Sequence, residues 1–396
     1  MVLFMDLDAL AKSPVGRLIS ITPPTDADED YAYAFLPNPL EQQILLDQAT
    51  LIRVANASAA LGMLEASLKR MSDPGVLSRP AIWREAISSS AMEGTYAPFA
   101  TVASSVVDKK RSSDETRQIW NYRETLENAV EALRTQRVTQ HLVCSMQQSL
   151  LSKTSEDSPQ SGKLRTEQVV IGDQRNLKSA RLVPCPPGDQ LQQLWDSLFE
   201  WINRAPDEFG HPLIDVALTH YQFETIHPFH NGNGRIGRML ISLQLQQAGI
   251  LSEPVLSLST GFAQDKGRYK DELLAMSCNG DFNRWVSYFC EAINDHTPRM
   301  IQAIDALANY RTDIYDVLHQ QKRTGVIFRV VDELFANPAV TAPGVARLFS
   351  IDDKAARKIL NTLMDIGLVE PGIAERPQIY LATRVIEIIE TQAFAD

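Results

Sequence analysis

Apolar residues recur at three- and four-residue intervals over most of the chain, the spacing that gathers them on one face of an α-helix. From Pro39, "LEQQILLDQATLIRVANASAALGMLEASLKRM" keeps this pattern up to the turn signal "SDPG". A second helix is predicted over "RPAIWREAISSSAMEG", with Pro80 suited to a first helical turn and Gly94 to the residue just past the end. Further helices follow at "DETRQIWNYRETLENAVEALRT", "TQHLVCSMQQSLLSKT", "GDQLQQLWDSLFEWINR", "PLIDVALTHYQFETI", "GRIGRMLISLQLQQAG", "GRYKDELLAMSC" and a long run from Asp281 to Gln320. The middle region has one convincing strand pair, "LRTEQVVIGD" and "SARLVPCPP", joined by "QRNLK" as a short hairpin.

Two stretches depart from this helical pattern. Residues 1 to about 36 mix prolines and acids in "TPPTDADEDYAYAFLPNPL", so they are expected to wrap loosely over the surface without long elements. After about residue 322, three helical segments precede two short strands around "PGIAERP", the order of a winged helix. The fold class is mainly α. The expected organisation is an N-terminal helical region over 1–118, a core over 119–300, a connecting helix over 301–321 and a winged-helix domain over 322–396. A length of 396 residues fits two or three domains.

Composition narrows the class. At 44% hydrophobic and 22% charged the chain is an ordinary globular protein, and a net charge of −11 argues against a surface coated for nonspecific nucleic-acid or membrane binding. Cys144, Cys185, Cys278 and Cys290 lie far apart with no CxxC spacing, which fits reduced thiols and neither a disulfide scaffold nor a structural zinc site. Asp6 and Asp8 interrupt any secretory leader, and "RMLISLQLQQAGIL" is too short and too polar to cross a bilayer. A cytoplasmic location without membrane attachment is expected.

The stretch from His227 to Arg238, "HPFHNGNGRIGR", carries the chemistry. Its glycines let a ligand approach the main chain closely, and successive N–H groups at a helix start form an anion pocket reinforced by the helix dipole. Phosphate is the natural guest. Arg235 and Arg238, three apart, project from one face and can grip phosphate oxygens with directed donors. His227, just before the loop, can take a proton from an incoming hydroxyl. His227 and His230 lack an HExxH pattern and a nearby acid, so metal hydrolysis is disfavoured.

This stretch resembles the signature of the Fic family, HPFx(D/E)GNGRxxR, matched at every fixed position but one. Fic enzymes typically move AMP from ATP to a Ser, Thr or Tyr hydroxyl of a protein. By that resemblance, which covers roughly 35 to 300, a helical Fic-type core carries a β-hairpin flap at Val169, Val170, Ile171 and Gly172. His227 is then the base and Phe229 packs beneath the loop. The Gly232, Asn233 and Gly234 main chain and the Asn233 side chain cradle phosphates, Arg235 and Arg238 hold the outer ones, and "GRYKDELL" lines the adenine site, with Tyr269 stacking on the base or, as its helical spacing equally allows, packing in the core. Gly234 stands in a region of the motif where kinase members of the family carry lysine, which favours nucleotidyl over phosphoryl transfer. The departure is Asn231, where the family usually has an acid for Mg²⁺. An uncharged amide oxygen ligates this hard cation more weakly than a carboxylate.

"SSSAMEGT" resembles the family's inhibitory pattern (S/T)xxxE(G/N), through Ser89, Glu93 and Gly94. Ser89 and Glu93, four apart, share one helical face. The resemblance implies that Glu93 pairs with Arg238 and deprives the γ-phosphate of its partner. Some related proteins use the same glutamate to remove AMP from a modified target. The flap edge could pair with a segment of the protein substrate by strand addition. The rival function is a transcriptional regulator with an inactive or ligand-sensing Fic core, reading DNA through Lys354, Arg357 and Lys358. Acidic neighbours Asp352, Asp353 and Asp365 disfavour it, and a protein-docking module or homodimer organiser fits that region at least as well.

Overall fold

The computed structural model describes residues 5–21, 33–40, 44–70, 74–107, 112–172, 180–205, 210–372 and 377–394. These are mainly helical, as the apolar spacing predicts. The N-terminal segment differs from the loose wrap expected of it. Helix α1 (Leu7–Ala11) is capped by the Asp6 side chain, and β1 (Gly16–Ser20) pairs antiparallel with β2 (Tyr33–Pro37). Leu10 and Phe35 are buried against Leu182 and Leu274. The prolines and acids that suggested an irregular surface segment fall mostly within 22–32, outside the described residues, whereas the apolar residues flanking them reach the core.

Helix α2 (Gln48–Lys69) begins later than Pro39, because the Asp47 carboxylate accepts the Thr50 N–H at 2.7 Å and caps the start there. Helix α3 (Pro74–Met92) begins earlier than expected and runs through Pro80, which is interior to it. A proline inside a helix removes one backbone bond; here Ile82, Trp83 and Ala86 are buried just beyond it and hold the helix by packing. Gly94 follows at φ +91°, as its C-terminal position requires. A further helix, α4 (Phe99–Val107), buries Phe99, Val102 and Ala103.

Next come α5 (Asp114–Ala132) and α6 (Gln140–Leu151), the latter capped by Thr139. The hairpin is β3 (Ile171–Gly172) against β4 (Ala180–Leu182), antiparallel with an irregular register, and its expected "QRNLK" turn lies outside the described residues. Helices α7 (Asp189–Asn203), α8 (Pro212–Ile226), α9 (Asn233–Gln247), α10 (Leu258–Gln264), α11 (Lys266–Asn279) and α12 (Phe282–Gln320) follow. The C-terminal stretch comprises α13 (Val326–Ala336), β5 (Ala339–Thr341), α14 (Ala342–Phe349), α15 (Asp353–Asp365), β6 (Glu370–Pro371), β7 (Ile379–Leu381) and α16 (Thr383–Phe394). Its three strands form one antiparallel sheet in the order β5-β7-β6.

Two compact units make up the chain. The first comprises Met1–Leu61, Thr125–Ile250 and Gly261–Asp295. At its centre α8 packs on α7, α9 and α11, and Trp285 donates its indole N–H to the Ala217 carbonyl at 2.8 Å. The second comprises Gly62–Glu124, Leu251–Thr260 and His296–Asp396. Its core contains Trp83, packed against Phe99 and Trp120, with the Arg123 guanidinium 4.5 Å above its ring.

Candidate active site

In the first unit α8 ends at His227, whose backbone is left-handed (φ 48°, ψ 64°), a conformation few non-glycine residues adopt. The turn swings the chain off the helix axis into the loop 228–232. Its N–H still reaches back to the Phe223 carbonyl at 3.0 Å. The His227 Nδ1 lies 3.2 Å from the Glu224 carbonyl oxygen. A carbonyl can only accept, so Nδ1 carries the proton and Nε2 is left as the basic nitrogen of the ring.

Arg165 clasps this turn from beneath. Its Nε donates to the His227 carbonyl at 2.8 Å, Nη2 donates to the carbonyls of Ile226 at 3.3 Å and of Cys185, and Nη1 reaches the Glu167 carbonyl at 3.3 Å. Its main-chain N–H adds a bond to the Pro228 carbonyl at 2.9 Å. Burial holds the Arg165 pKa below its ordinary value, and the same burial pushes the neighbouring Cys185 thiol up to about 11, so that sulfur stays protonated. Nothing in the motif points to Arg165; only tertiary structure brings it under the loop.

Phe229 is fully buried and meets Trp195 edge-on at 5.7 Å. Asn233 opens α9 and turns its side chain back on the loop. Oδ1 accepts the Phe229 N–H at 2.9 Å and Nδ2 donates to the Phe229 carbonyl at 2.8 Å. Both ends of that amide therefore shape the loop, so the side chain does not serve a phosphate as the sequence reading expects, and what Asn233 offers outward is main chain. Gly232 has φ +81°, a left-handed backbone that favours glycine, and a Cβ there would press on Leu150 at 3.3 Å. Gln147 fastens the Asn231 carbonyl at 3.0 Å. The outcome is a fixed loop followed at once by the first turn of α9, with no side-chain cap on its N–H groups. Such a terminus receives an anion.

Arg235 and Arg238 are both buried, at 2% and 3% exposure, on the first two turns of α9. The Arg235 guanidinium pairs with Glu156, an acid that the motif does not contain. Gly237 lets α8 and α9 close up: a Cβ there would sit 3.1 Å from the Phe223 ring. Behind them His220 bonds the Gly237 carbonyl at 3.2 Å and the Tyr269 hydroxyl at 2.8 Å. Burial first, and the Arg238 charge second, push the His220 pKa down to about 3, so it is neutral at physiological pH.

Tyr269 is read from the sequence as stacking on adenine or, equally, as a core residue. The structure makes it a core residue, 3% exposed, with its ring stacked on Phe262 at 4.6 Å and its hydroxyl held by His220. Its position on the inward face of α11 decides between the two. On the hairpin, Val169 is buried, Val170 and Ile171 are half-buried and Gly172 is exposed at φ +115°. Gln168 ties the base of the hairpin to the Pro184 carbonyl at 2.9 Å.

Among the described residues no group of three or more His, Cys, Asp or Glu could hold a metal ion. Of the loop's side chains, His230 and Asn231 carry donor atoms, and neither is a carboxylate. This donor set fits Mg²⁺ carried mainly by a nucleotide's own phosphates with Asn231 as an auxiliary ligand, and does not fit a resident ion.

In the second unit Ser89 is buried in α3, while Glu93 and Gly94 are exposed just beyond its end. The helix is anchored by Glu85, which sequence reading passes over. Its carboxylate accepts from the hydroxyls of Ser257 at 3.1 Å, Ser259 and Tyr122 at 3.2 Å, and from the Ser259 N–H at 3.1 Å. A buried carboxylate with four donors is well satisfied and fixes the helix that precedes Glu93.

Residues 137–245 match the Fic/DOC family model, and residues 51–131 match the Fic/DOC family N-terminal model. The chain carries a Fic domain. Its match brackets the hairpin, α8, the loop and most of α9, and the N-terminal match includes α3 with Ser89. A protein adenylyltransferase Fic from Nematostella vectensis is 30% identical over 164 residues, covering 41% of this chain and 33% of the relative. A protein of the same name from Aedes aegypti is 31% identical over 135 residues, covering 34% and 24%. The chain thus spans a third or less of the length of these relatives. A crystal structure of a Fic family protein from Desulfovibrio desulfuricans G20 shares the fold, with a TM-score of 0.54 at 18% identity over 87% of this chain and 98% of that one. No helix among the described residues of this chain is long and apolar enough to cross a membrane.

Proposed function

We propose that this Fic protein is a protein adenylyltransferase, transferring AMP from ATP to a Ser, Thr or Tyr hydroxyl. The observation that carries the reading is the pairing of the left-handed His227 turn with the uncapped start of α9. A base and an anion site stand within one rigid loop. The triphosphate lies along the Gly232–Gly234 main chain, and Arg238 faces its outer oxygens. The hydroxyl oxygen of the target attacks the α-phosphorus. A new O–P bond forms as the bond from that phosphorus to the bridging oxygen breaks, and pyrophosphate leaves. The hydroxyl proton passes to His227 Nε2, the nitrogen that the Nδ1 bond to Glu224 leaves basic. Fixed N–H donors and buried guanidinium groups stabilise the charge that develops, and orientation supplies much of the rest. Mg²⁺ ligated by Asn231 would neutralise part of the phosphate charge. Arg235 exchanges its Glu156 partner for phosphate, or keeps it and acts through the field alone.

Glu93 restrains the reaction by competing for Arg238 against the γ-phosphate, and de-AMPylation by the same glutamate is a second activity of the site. What supports the restraint is the position of Glu93 directly after a helix fixed by Glu85. The C-terminal stretch is a winged-helix module for protein contacts. Lys354, Arg357 and Lys358 are exposed on α15, but Asp353 pairs with Arg357 at 3.9 Å and Asp352 opens the same helix, so a nucleic-acid surface is disfavoured. The test is transfer from ATP labelled at the α- or the γ-phosphate, using Glu93→Gly. Protein-bound α label is expected; protein-bound γ label would make the enzyme a kinase.

A further inference from the structure

Gln147, on α6 in the first unit, is 2% exposed and joins two loops. Its Nε2 donates to the Asn231 carbonyl at 3.0 Å, and its Oε1 accepts the Gly162 N–H. Gly162 has φ +84°, and a Cβ there would press on Gln148 at 3.1 Å and on the Cys144 carbonyl at 3.3 Å, so this segment lies close against α6. Leu150 and Leu151, one turn further along the same helix, adjoin Gly232. Helix α6 is therefore the inner wall of the loop 228–232. Other peptides of that loop have fastenings of their own, the Pro228 carbonyl on the Arg165 N–H at 2.9 Å and the Phe229 main chain on the Asn233 amide.

A trans peptide is planar, with its C=O and N–H pointing in opposite directions. The bond to Gln147 turns the Asn231 carbonyl inward, so the Gly232 N–H, in the same peptide, points away from α6 and out of the wall. No side chain caps that end of α9. Local backbone preference does not hold the plane there, because Gly232 is left-handed at φ +81° and glycine adopts either sign of φ at little cost. Rotating the 231–232 peptide would put a carbonyl where the N–H stands, and a carbonyl repels the anion that an N–H attracts. The Gln147 bond opposes that rotation, since the reversed plane leaves a buried amide donor without its acceptor.

We propose that Gln147 is a positioning residue for the phosphate site, fixing the 231–232 peptide so that the Gly232 N–H faces the bound anion. The inference rests on the reading of this loop as the cradle of a nucleotide's phosphates. Gln147 makes no contact with the nucleotide and acts through the peptide alone. Its loss weakens what the phosphates gain and spares what the nucleoside gains. A buried residue that only joined two loops would weaken both when removed.

The experiment is calorimetric titration of the full chain carrying Glu93→Gly, with and without Gln147→Met, against ATP, inorganic tripolyphosphate and adenosine in the presence of Mg²⁺, adenosine being followed to millimolar concentration. Methionine keeps the length of the side chain and loses both of its bonds. ATP and tripolyphosphate should bind at least about tenfold more weakly to the Gln147→Met chain, the effect of losing one fixed donor to a charged group, with adenosine within about twofold of the parent. Should Gln147→Met fail to fold, Gln147→Asn, one methylene too short to span Asn231 and Gly162, replaces it with the same expectation. Unchanged binding of ATP and tripolyphosphate, or an equal loss for ATP and adenosine, would overturn the proposal and leave the AMP-transfer reading intact. A parent that binds neither ATP nor tripolyphosphate would overturn that reading and this proposal together.

Discussion

Replacing Arg165 with methionine should damage catalysis more than folding. The guanidinium donates to the carbonyls of His227, Ile226, Cys185 and Glu167, so its removal leaves four main-chain acceptors without that donor. At about 1 kcal/mol per bond the loss is roughly 4 kcal/mol, and relief of a buried charge returns about 1, leaving roughly 3 kcal/mol. For a cooperative unit of the first unit's size each kcal/mol moves the thermal midpoint by about 2–4 °C, so a fall of roughly 6–12 °C in the transition of that unit is expected in differential scanning fluorimetry. At 25 °C most molecules remain folded. Two of the four carbonyls belong to the turn that orients His227, and a 1 Å misplacement of a catalytic group costs about 10²-fold in rate. In a label-transfer assay with Glu93→Gly as the parent, kcat should fall by about that factor, with the KM for ATP within about threefold of the parent. Arg165→Lys, which keeps the charge and loses the fork, should lie between them. A full fall in thermal midpoint with unchanged kcat would refute the reasoning and leave Arg165 as a packing residue.

Glu93→Gly should raise AMP transfer severalfold over the unaltered chain, and equal activities would discard the inhibitory assignment. Asn231→Asp should raise transfer at limiting Mg²⁺, because a carboxylate binds this cation better than an amide; superimposable metal titrations would remove Asn231 from metal binding. His220 titrates near 6.5 when unfolded and at about 3 when folded, so the unfolded chain binds the extra proton and stability falls as pH drops through that window. From pH 7 to pH 5 this histidine should account for about 2 kcal/mol of lost stability, and urea titrations of His220→Gln should show a shallower pH dependence by that amount. Parallel pH profiles for the two proteins would contradict the buried neutral assignment.

Much of the architecture could be read from apolar spacing, because long amphipathic helices repeat their pattern over many turns. Helices α5, α7, α8 and α12 lie where that spacing puts them. Elements held by distant contacts were harder to see. Helix α4 is nine residues long and owes its place to Phe99 packing on Trp83. The N-terminal hairpin is stable because Phe35 reaches Leu182 and Leu274, partners far along the chain. Pro80 suggested a helix start by local chemistry, and packing beyond it overrode that preference.

The site divides in the same way. Glycine at 232, the apolar anchor Phe229 and the arginines on α9 follow from the motif, since their roles are set by adjacent residues. Arg165, Glu156 and Glu85 serve positions many residues away and leave no local trace. Asn233 is legible as part of the loop, but the direction of its amide, inward to Phe229, depends on a turn that only the folded backbone specifies. Tyr269 sits on a helix whose inward face can be told from its outward one only once Phe262 and His220 are placed beside it.

The most direct measurement is a crystal structure of Glu93→Gly with an ATP analogue that cannot be cleaved between the α- and β-phosphates. The account predicts phosphate oxygens on the Gly232–Gly234 main chain, Arg238 on the outermost phosphate, and the α-phosphorus open to in-line attack on the side of His227 Nε2. A loop that excludes the analogue, or a nucleotide bound with its α-phosphate turned away from His227, would contradict it.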